Sequence, residues 1–162
     1  ILHRANVARG NYLCLDRTDL QYAVNALSRN MSNPNRKDMN ELKRLARYLK
    51  ERQRTRMLYE YQKMPREVEV SVDTDFAGCS RTRNLTSGGL MQFGNHLLKS
   101  WSSTQNVVAL SSGEAEFYGL VKGASQGLGT MQLFVEFGIE AGLKIQTDAS
   151  AAKKRQWQSA PH

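Results

Sequence analysis

Between residues 68 and 78 the chain reads Val-Glu-Val-Ser-Val-Asp-Thr-Asp-Phe-Ala-Gly. Valines at 68, 70 and 72 alternate with polar residues. Side chains on a strand change face at every step, so this period of two specifies a half-buried β-strand. The alternation ends in two acids, Asp73 and Asp75. The end of a strand in an α/β sheet is a common place for a ligand or metal. A solvated turn uses aspartate equally well, so the rest of the chain has to decide between the two.

Two more strands follow after a polar turn. Ser87–Phe93 and His96–Ser102 are separated by Gly94-Asn95, a hairpin signal. Short turns between successive strands predict an antiparallel meander. Ser111 then offers an N-cap, with Glu114 or Ala115 in the first turn, for a helix running to about Phe137. Glycines at 119, 123, 127 and 129 each weaken that helix by up to ~1 kcal/mol relative to alanine. They point to close helix–sheet packing or to a break near Gly127–Gly129. Gly138 suits the helix end. Leu143–Asp148 is a fourth strand that ends in an acid, and Ala149–Trp157 reads as the start of a further helix.

This order predicts an α/β fold with a mixed sheet, in which the first and fourth strands are neighbours. Asp73 and Asp148 then meet at two strand ends. The first turn of the long helix carries Glu114 and Glu116 nearby. Each acid alone is best read as a surface or helix-start residue; three from separate elements are better read as one site. Carboxylates this close repel unless a cation lies between them. With no His or Cys among them, they select hard ions such as Mg²⁺ or Mn²⁺. Two such ions can clamp the attacking water and the leaving oxygen of a phosphodiester.

The first part of the chain has a different character. Residues 1–16 show no clear period. Asp19 is placed to cap a short helix over 20–28, with Leu20, Val24, Leu27 and Met31 on one face. Pro34 marks a break. A second helix starts at Lys37 or Asp38 and runs through Arg52, with Leu42, Leu45 and Leu49 on one side and Lys43, Arg44, Arg47 and Lys50 on the other. Arg56–Tyr61 is compatible with an edge strand, and Lys63–Arg66 with a linker. Residues 1–66 hold 15 Lys/Arg against 6 Asp/Glu, whereas 67–162 hold 8 against 9. The overall charge of +8 therefore belongs to the first part. It fits contact with a polyanion or a solvated helical surface. The long proline-bearing turn between the two helices argues against a helix-turn-helix DNA reader.

The length of 162 residues allows one or two small domains. There is no apolar run of membrane-spanning length and no signal-peptide pattern, so no membrane partner is expected. The first residue is Ile, which suggests a piece of a longer polypeptide. Cys14 and Cys79 are isolated, without metal spacing, and fit a reducing intracellular compartment.

Five motifs together resemble one family. Val72-Asp73-Thr74-Asp75-Phe76-Ala77-Gly78, Thr86-Ser87-Gly88-Gly89, Ser100-Trp101-Ser102-Ser103, Ala109-Leu110-Ser111-Ser112-Gly113-Glu114-Ala115-Glu116-Phe117 and Thr147-Asp148-Ala149-Ser150-Ala151-Ala152 are similar to the ribonuclease H region of copia-type (Ty1/copia) LTR retrotransposon polyproteins. Upstream, Arg17–Val24, Leu27-Ser28-Arg29, Asn33-Pro34 and Lys43–Lys50 resemble the segment that connects reverse transcriptase to ribonuclease H. The resemblance implies a basic helical connecting segment over 1–66. Over 67–162 it implies a ribonuclease H-like domain, truncated at the C-terminus and lacking its last helix. The implied activity is Mg²⁺-dependent endonucleolytic cleavage of the RNA strand of RNA–DNA hybrids, with two Mg²⁺ (Mn²⁺ as a substitute). The reverse transcriptase of the same polyprotein is the implied partner, in a cytoplasmic particle or the nucleus.

Carried over by position, the catalytic and metal-binding carboxylates are Asp73, Glu116 and Asp148. Glu114 is the fallback for Glu116, and Asp75 takes a supporting role. Glu116 is also placed to contact the RNA 2′-hydroxyl. Ser87, Ser111 and Ser112 are candidates for phosphate or sugar contacts near a helix N-terminus. The family's fourth carboxylate has no counterpart in Lys153–His162, and no reverse-transcriptase motif of paired aspartates is present. A catalytically inactive remnant that keeps the fold and binds nucleic acid is therefore the alternative. A third reading is a two-metal nuclease of the same fold that acts on DNA.

Overall fold

The computed structural model describes residues 2–75, 86–105, 109 and 111–147. They form two compact units, Ile1–Leu58 and Tyr59–His162.

In the first unit three helices, α1 (Leu2–Leu13), α2 (Gln21–Ser28) and α3 (Arg36–Glu51), surround a core of Val7, Leu20, Val24, Leu27 and Leu45. Helix α1 falls where no period was expected. Its inward positions are His3, Val7 and Gly10, so the buried face carries one hydrophobic residue in three. Gly10 lets α2 approach; a Cβ there would lie 3.2 Å from Val24 Cγ2. Helix α3 begins on Asn35, whose side chain accepts from the Asp38 amide while Asp38 accepts from the Asn35 amide, a reciprocal capping box. Cys14 is a free thiol, pushed up mainly by burial and secondarily by Asp19.

Asp19 does not cap α2. It lies in a short 3₁₀ turn, Thr18–Leu20, and α2 starts after Leu20 without a side-chain cap. Its carboxylate instead receives both prongs of the Arg17 guanidinium, at 2.9 and 2.7 Å, and the Tyr48 hydroxyl at 2.8 Å. Arg17 also donates to the Arg52 carbonyl at the end of α3. A buried fork so satisfied outcompetes a single cap bond. The Arg17 bonds, helped by Tyr48, lower the Asp19 carboxyl to about 2. A lowered acid stabilises the fold fully above its ordinary pKa, and that contribution is lost as pH falls through the folded value. The expected result is an acid-sensitive limb between about pH 4 and pH 2 in the helical unfolding signal, absent in Asp19→Asn; circular dichroism against pH checks it.

In the second unit β1 (Glu67–Asp75), β2 (Thr86–Phe93), β3 (His96–Thr104) and β4 (Gly142–Thr147) form a sheet in the order β3-β2-β1-β4. β1–β2 and β2–β3 are antiparallel, and β1–β4 is parallel in the register Val72↔Thr147. This is the mixed α/β sheet that the element order predicts. Helix α4 (Ser112–Glu136) covers one face. Val68, Val70 and Val72 of β1 and Met91 and Phe93 of β2 point onto that face and pack with Phe134 of α4, which meets Phe93 edge-on at 5.0 Å.

Helix α4 is continuous through Gly127–Gly129. Ala115, Gly119, Gly123 and Gly127 recur every four residues and are buried, which keeps the helix backbone close to the sheet. A Cβ at Gly119 would collide with Thr74 Oγ1; one at Gly123 would lie 2.9 Å from Val72 Cγ2, and one at Gly127 2.6 Å from Leu143 Cδ1. Packing restores what the glycines cost in propensity. Gly138, at φ +69°, follows the helix in the left-handed conformation expected of it.

Arg56–Tyr61 is not a strand. The segment beginning at Tyr59 packs against the β2–β3 hairpin. The Tyr59 hydroxyl donates to the Leu97 carbonyl, and the Glu60 carbonyl bonds His96 Nε2. The Gln62 amide donates to the Phe93 carbonyl and accepts from the Asn95 amide. The units therefore divide at Leu58/Tyr59, eight residues before the expected 66/67. The helix expected over 149–157 lies outside the described residues.

Candidate active site

The candidate site is at the C-terminal end of β1. Val72 and Thr74 face α4, under Gly123 and Gly119. Asp73 alternates with them, so its carboxylate projects from the opposite face, and it is exposed. Its partner on β2 is Gly88, which leaves the space beside the carboxylate open. The backbone of Asp75 pairs with Thr86 at the strand end. β4 runs parallel to β1 as far as Thr147. Asp148 follows Thr147 directly in sequence and lies outside the described residues.

Two glutamates begin α4 on different flanks. Helical rows repeat every three or four residues. Glu116 shares its row with Leu120, which packs on the sheet core, and with Gly123 and Gly127, which lie against Val70 and Val72 of β1 and Leu143 of β4. Glu114 shares its row with Tyr118 and Lys122. Tyr118 donates its hydroxyl to Glu114 at 3.3 Å, and Lys122 bonds Ser103 on β3. Glu116 is thus on the β1/β4 side of the helix, half-buried, and Glu114 on the β3 side. Among the described residues no three His, Cys, Asp or Glu side chains are gathered tightly enough to hold a metal. Asp73 and Glu116 supply hard oxygen donors of the kind Mg²⁺ or Mn²⁺ takes.

The three serines differ. Ser87 is only 1% exposed, and its hydroxyl accepts from Gln105 Nε2. In this structure Ser87 packs beneath the start of α4. Ser111 is the N-cap, accepting from the Glu114 amide at 3.2 Å, and Ser112 is exposed in the first turn. Gln105 was not singled out by the sequence. Its amide also donates to the Ala115 carbonyl, tying the end of β3 to the first turn of α4. A lone glutamine after a strand carries no pattern that would have marked it. Gly89 is explained by Trp101: a Cβ there would collide with the indole ring, which lies against the glycine across the strand pair.

Among known proteins, the chain is 33% identical over 148 residues to the retrovirus-related Pol polyprotein from transposon RE2 of Arabidopsis thaliana, covering 85% of this chain and 9% of that one. The corresponding polyprotein from transposon RE1 is 32% identical over 147 residues, with the same coverage. An uncharacterized mitochondrial protein of the same plant is 36% identical over 124 residues, covering 76% of this chain and 51% of its own length. The chain thus spans about half of one relative and a small part of the other two. No family model and no solved structure matches it. No helix among the described residues is long and apolar enough to cross a membrane.

Proposed function

From a chain homologous to a region of copia-type retrotransposon Pol polyproteins, we propose that residues 59–162 are a ribonuclease H-like domain cleaving the RNA strand of RNA–DNA hybrids. Residues 1–58 are the end of the segment connecting it to reverse transcriptase. The observation that carries the reading is the parallel pairing of β1 with β4 up to Val72↔Thr147, since each strand leads into one of the two aspartates. The flank on which Glu116 sits supports Glu116 over Glu114 as the third carboxylate.

In this reading Asp73, Glu116 and Asp148 would hold two Mg²⁺. Bound Mg²⁺ supplies a polarised water and neutralises charge on the phosphate. Asp73 contributes an exposed carboxylate opposite Gly88, which places no side chain of its own beside it. Ser111 and Ser112 present hydroxyls at the start of α4, and Glu116 is the group closest in role to the RNA 2′-hydroxyl. Gln105 and Ser87 hold the helix start in place beneath them.

The test incubates the chain and Mg²⁺ with an RNA–DNA hybrid labelled on its RNA strand, with the same RNA strand alone, and with a labelled DNA duplex. The expected result is cleavage of RNA in the hybrid only, abolished by EDTA and by Asp73→Asn. A folded protein that binds hybrid without cutting it overturns the enzymatic reading. It would favour a non-catalytic remnant, for which the basic balance of residues 1–58 speaks: 13 Lys/Arg against 5 Asp/Glu. Cleavage of duplex DNA would point instead to a related nuclease.

A further inference from the structure

The outer face of α3 carries a row of exposed cations. At ~100° per residue, Arg36, Lys43, Arg47 and Lys50 fall in one row opposite Leu42, Leu45 and Leu49. All four are exposed, and none is in a salt bridge with a described acid; Arg44, beside them, pairs with Glu41 at 3.1 Å. Asp38, the one acid in the first turn, is buried in the capping box. From Arg36 to Lys50 the row is about 21 Å long at ~1.5 Å per residue.

We propose that this row is a docking surface for the sugar–phosphate backbone of a nucleic-acid duplex, read by charge and not by base sequence. A straight line of cations on a rigid helix matches a regularly spaced line of phosphates, and binding releases the counterions condensed on them. Arginines at 36 and 47 can each engage a phosphate through two N–H groups. An anionic membrane is the weaker match. A helix that lies in a lipid interface inserts its apolar face, whereas Leu45 of α3 is buried in the core of its unit, with Leu42 and Leu49 packed against it. The surface extends the proposed function by naming where the duplex is held, yet it is measurable without any cleavage.

The experiment is fluorescence anisotropy of a labelled RNA–DNA hybrid against the full chain, in EDTA, at several KCl concentrations. The variant R36Q/K43Q/R47Q/K50Q is compared with R4Q/R9Q/R54Q/R56Q, which removes the same charge from exposed positions off α3. The expected result is an affinity loss of at least ~10-fold for the α3 variant, with the log K against log [salt] slope shallower by about 4, at ~0.9 per phosphate contact. The control variant changes little. If the fourfold variant loses its helical circular dichroism, R47Q/K50Q replaces it, with an expected slope change of about 2. R36K/R47K keeps the charge and is expected to keep binding. Equal losses in α3 and control variants overturn the proposal in favour of bulk charge. An α3-dependent affinity for phosphatidylserine vesicles or polyglutamate that exceeds that for the hybrid overturns it in favour of another polyanion. Since EDTA blocks any Mg²⁺-dependent cut, a missing nuclease activity leaves this result standing, and lost binding leaves the carboxylate test untouched.

Discussion

Glu116→Gln is expected to lower cleavage of the hybrid at least ~100-fold, about 2.7 kcal/mol of barrier, while Glu114→Gln changes it only a few-fold. The two glutamates are two residues apart and both fall in the first turns of α4. They differ in what lies below them. The row of Glu116 descends through Gly123 and Gly127 onto β1 and β4, the strands that lead to Asp73 and Asp148. The row of Glu114 is occupied by Tyr118 and Lys122, on the side of β3. Steady-state cleavage over a Mg²⁺ series checks it, with thermal unfolding of both variants as the control for folding. Equal losses at the two positions would remove the flank argument. A larger loss at Glu114 would exchange their roles.

Gly123→Leu is expected to destabilise the second unit by ~1–3 kcal/mol or more, because a side chain must be inserted where the helix already touches the sheet. Even Gly123→Ala is expected to lose stability. Alanine gains up to ~1 kcal/mol of helix propensity, but its Cβ would lie 2.9 Å from Val72 Cγ2, 3.3 Å from Val70 Cγ1 and 3.6 Å from Val72 Cγ1. A β-branched valine has few rotamers into which to retreat. Gly129 supplies the opposite sign: it is exposed with nothing within 4 Å of a built Cβ, so Gly129→Ala is expected to gain up to ~1 kcal/mol. Urea unfolding of the three variants, followed by Trp fluorescence, measures the differences. Stabilisation by Gly123→Ala would mean that the helix floats free of the sheet.

The sheet was legible because alternation survives wherever one face is buried: Val68, Val70 and Val72 announce β1, and its pairing with β4 follows from the element order. Other features depend on contacts that composition hides. Helix α1 was missed because two of its three inward positions are a histidine and a glycine. Asp19 has the right type and place for a cap, yet a guanidinium arriving from Arg17 claims it. The glycines of α4 look like breaks until the sheet beneath them is known. The same applies to the site. Sequence names the acids, but only the register shows that Asp73 and α4 lie on opposite faces of β1, and only the contacts of Gly123 and Gly127 separate Glu116 from Glu114. Ser87 starts a strand in the Thr-Ser-Gly-Gly motif, where sequence offers its hydroxyl to a ligand, and only the packing shows that it is buried under a helix.

The bonds from Tyr59, Glu60 and Gln62 to the β2–β3 hairpin decide where this polypeptide tolerates foreign sequence. The stretch Gln53–Arg56 is exposed and without regular structure, so added residues there lengthen the connection and leave the hairpin contacts intact. Added residues between Gln62 and Pro65 would move Gln62 off the Phe93 carbonyl and the Asn95 amide, and with it the tip that fixes the register of two strands. A protease cut at Lys63 or Arg66 would likewise leave the sheet covalently whole but without its brace. The natural seam between the two units is thus several residues upstream of the first strand, and the sheet-bearing unit brings its own N-terminal brace with it.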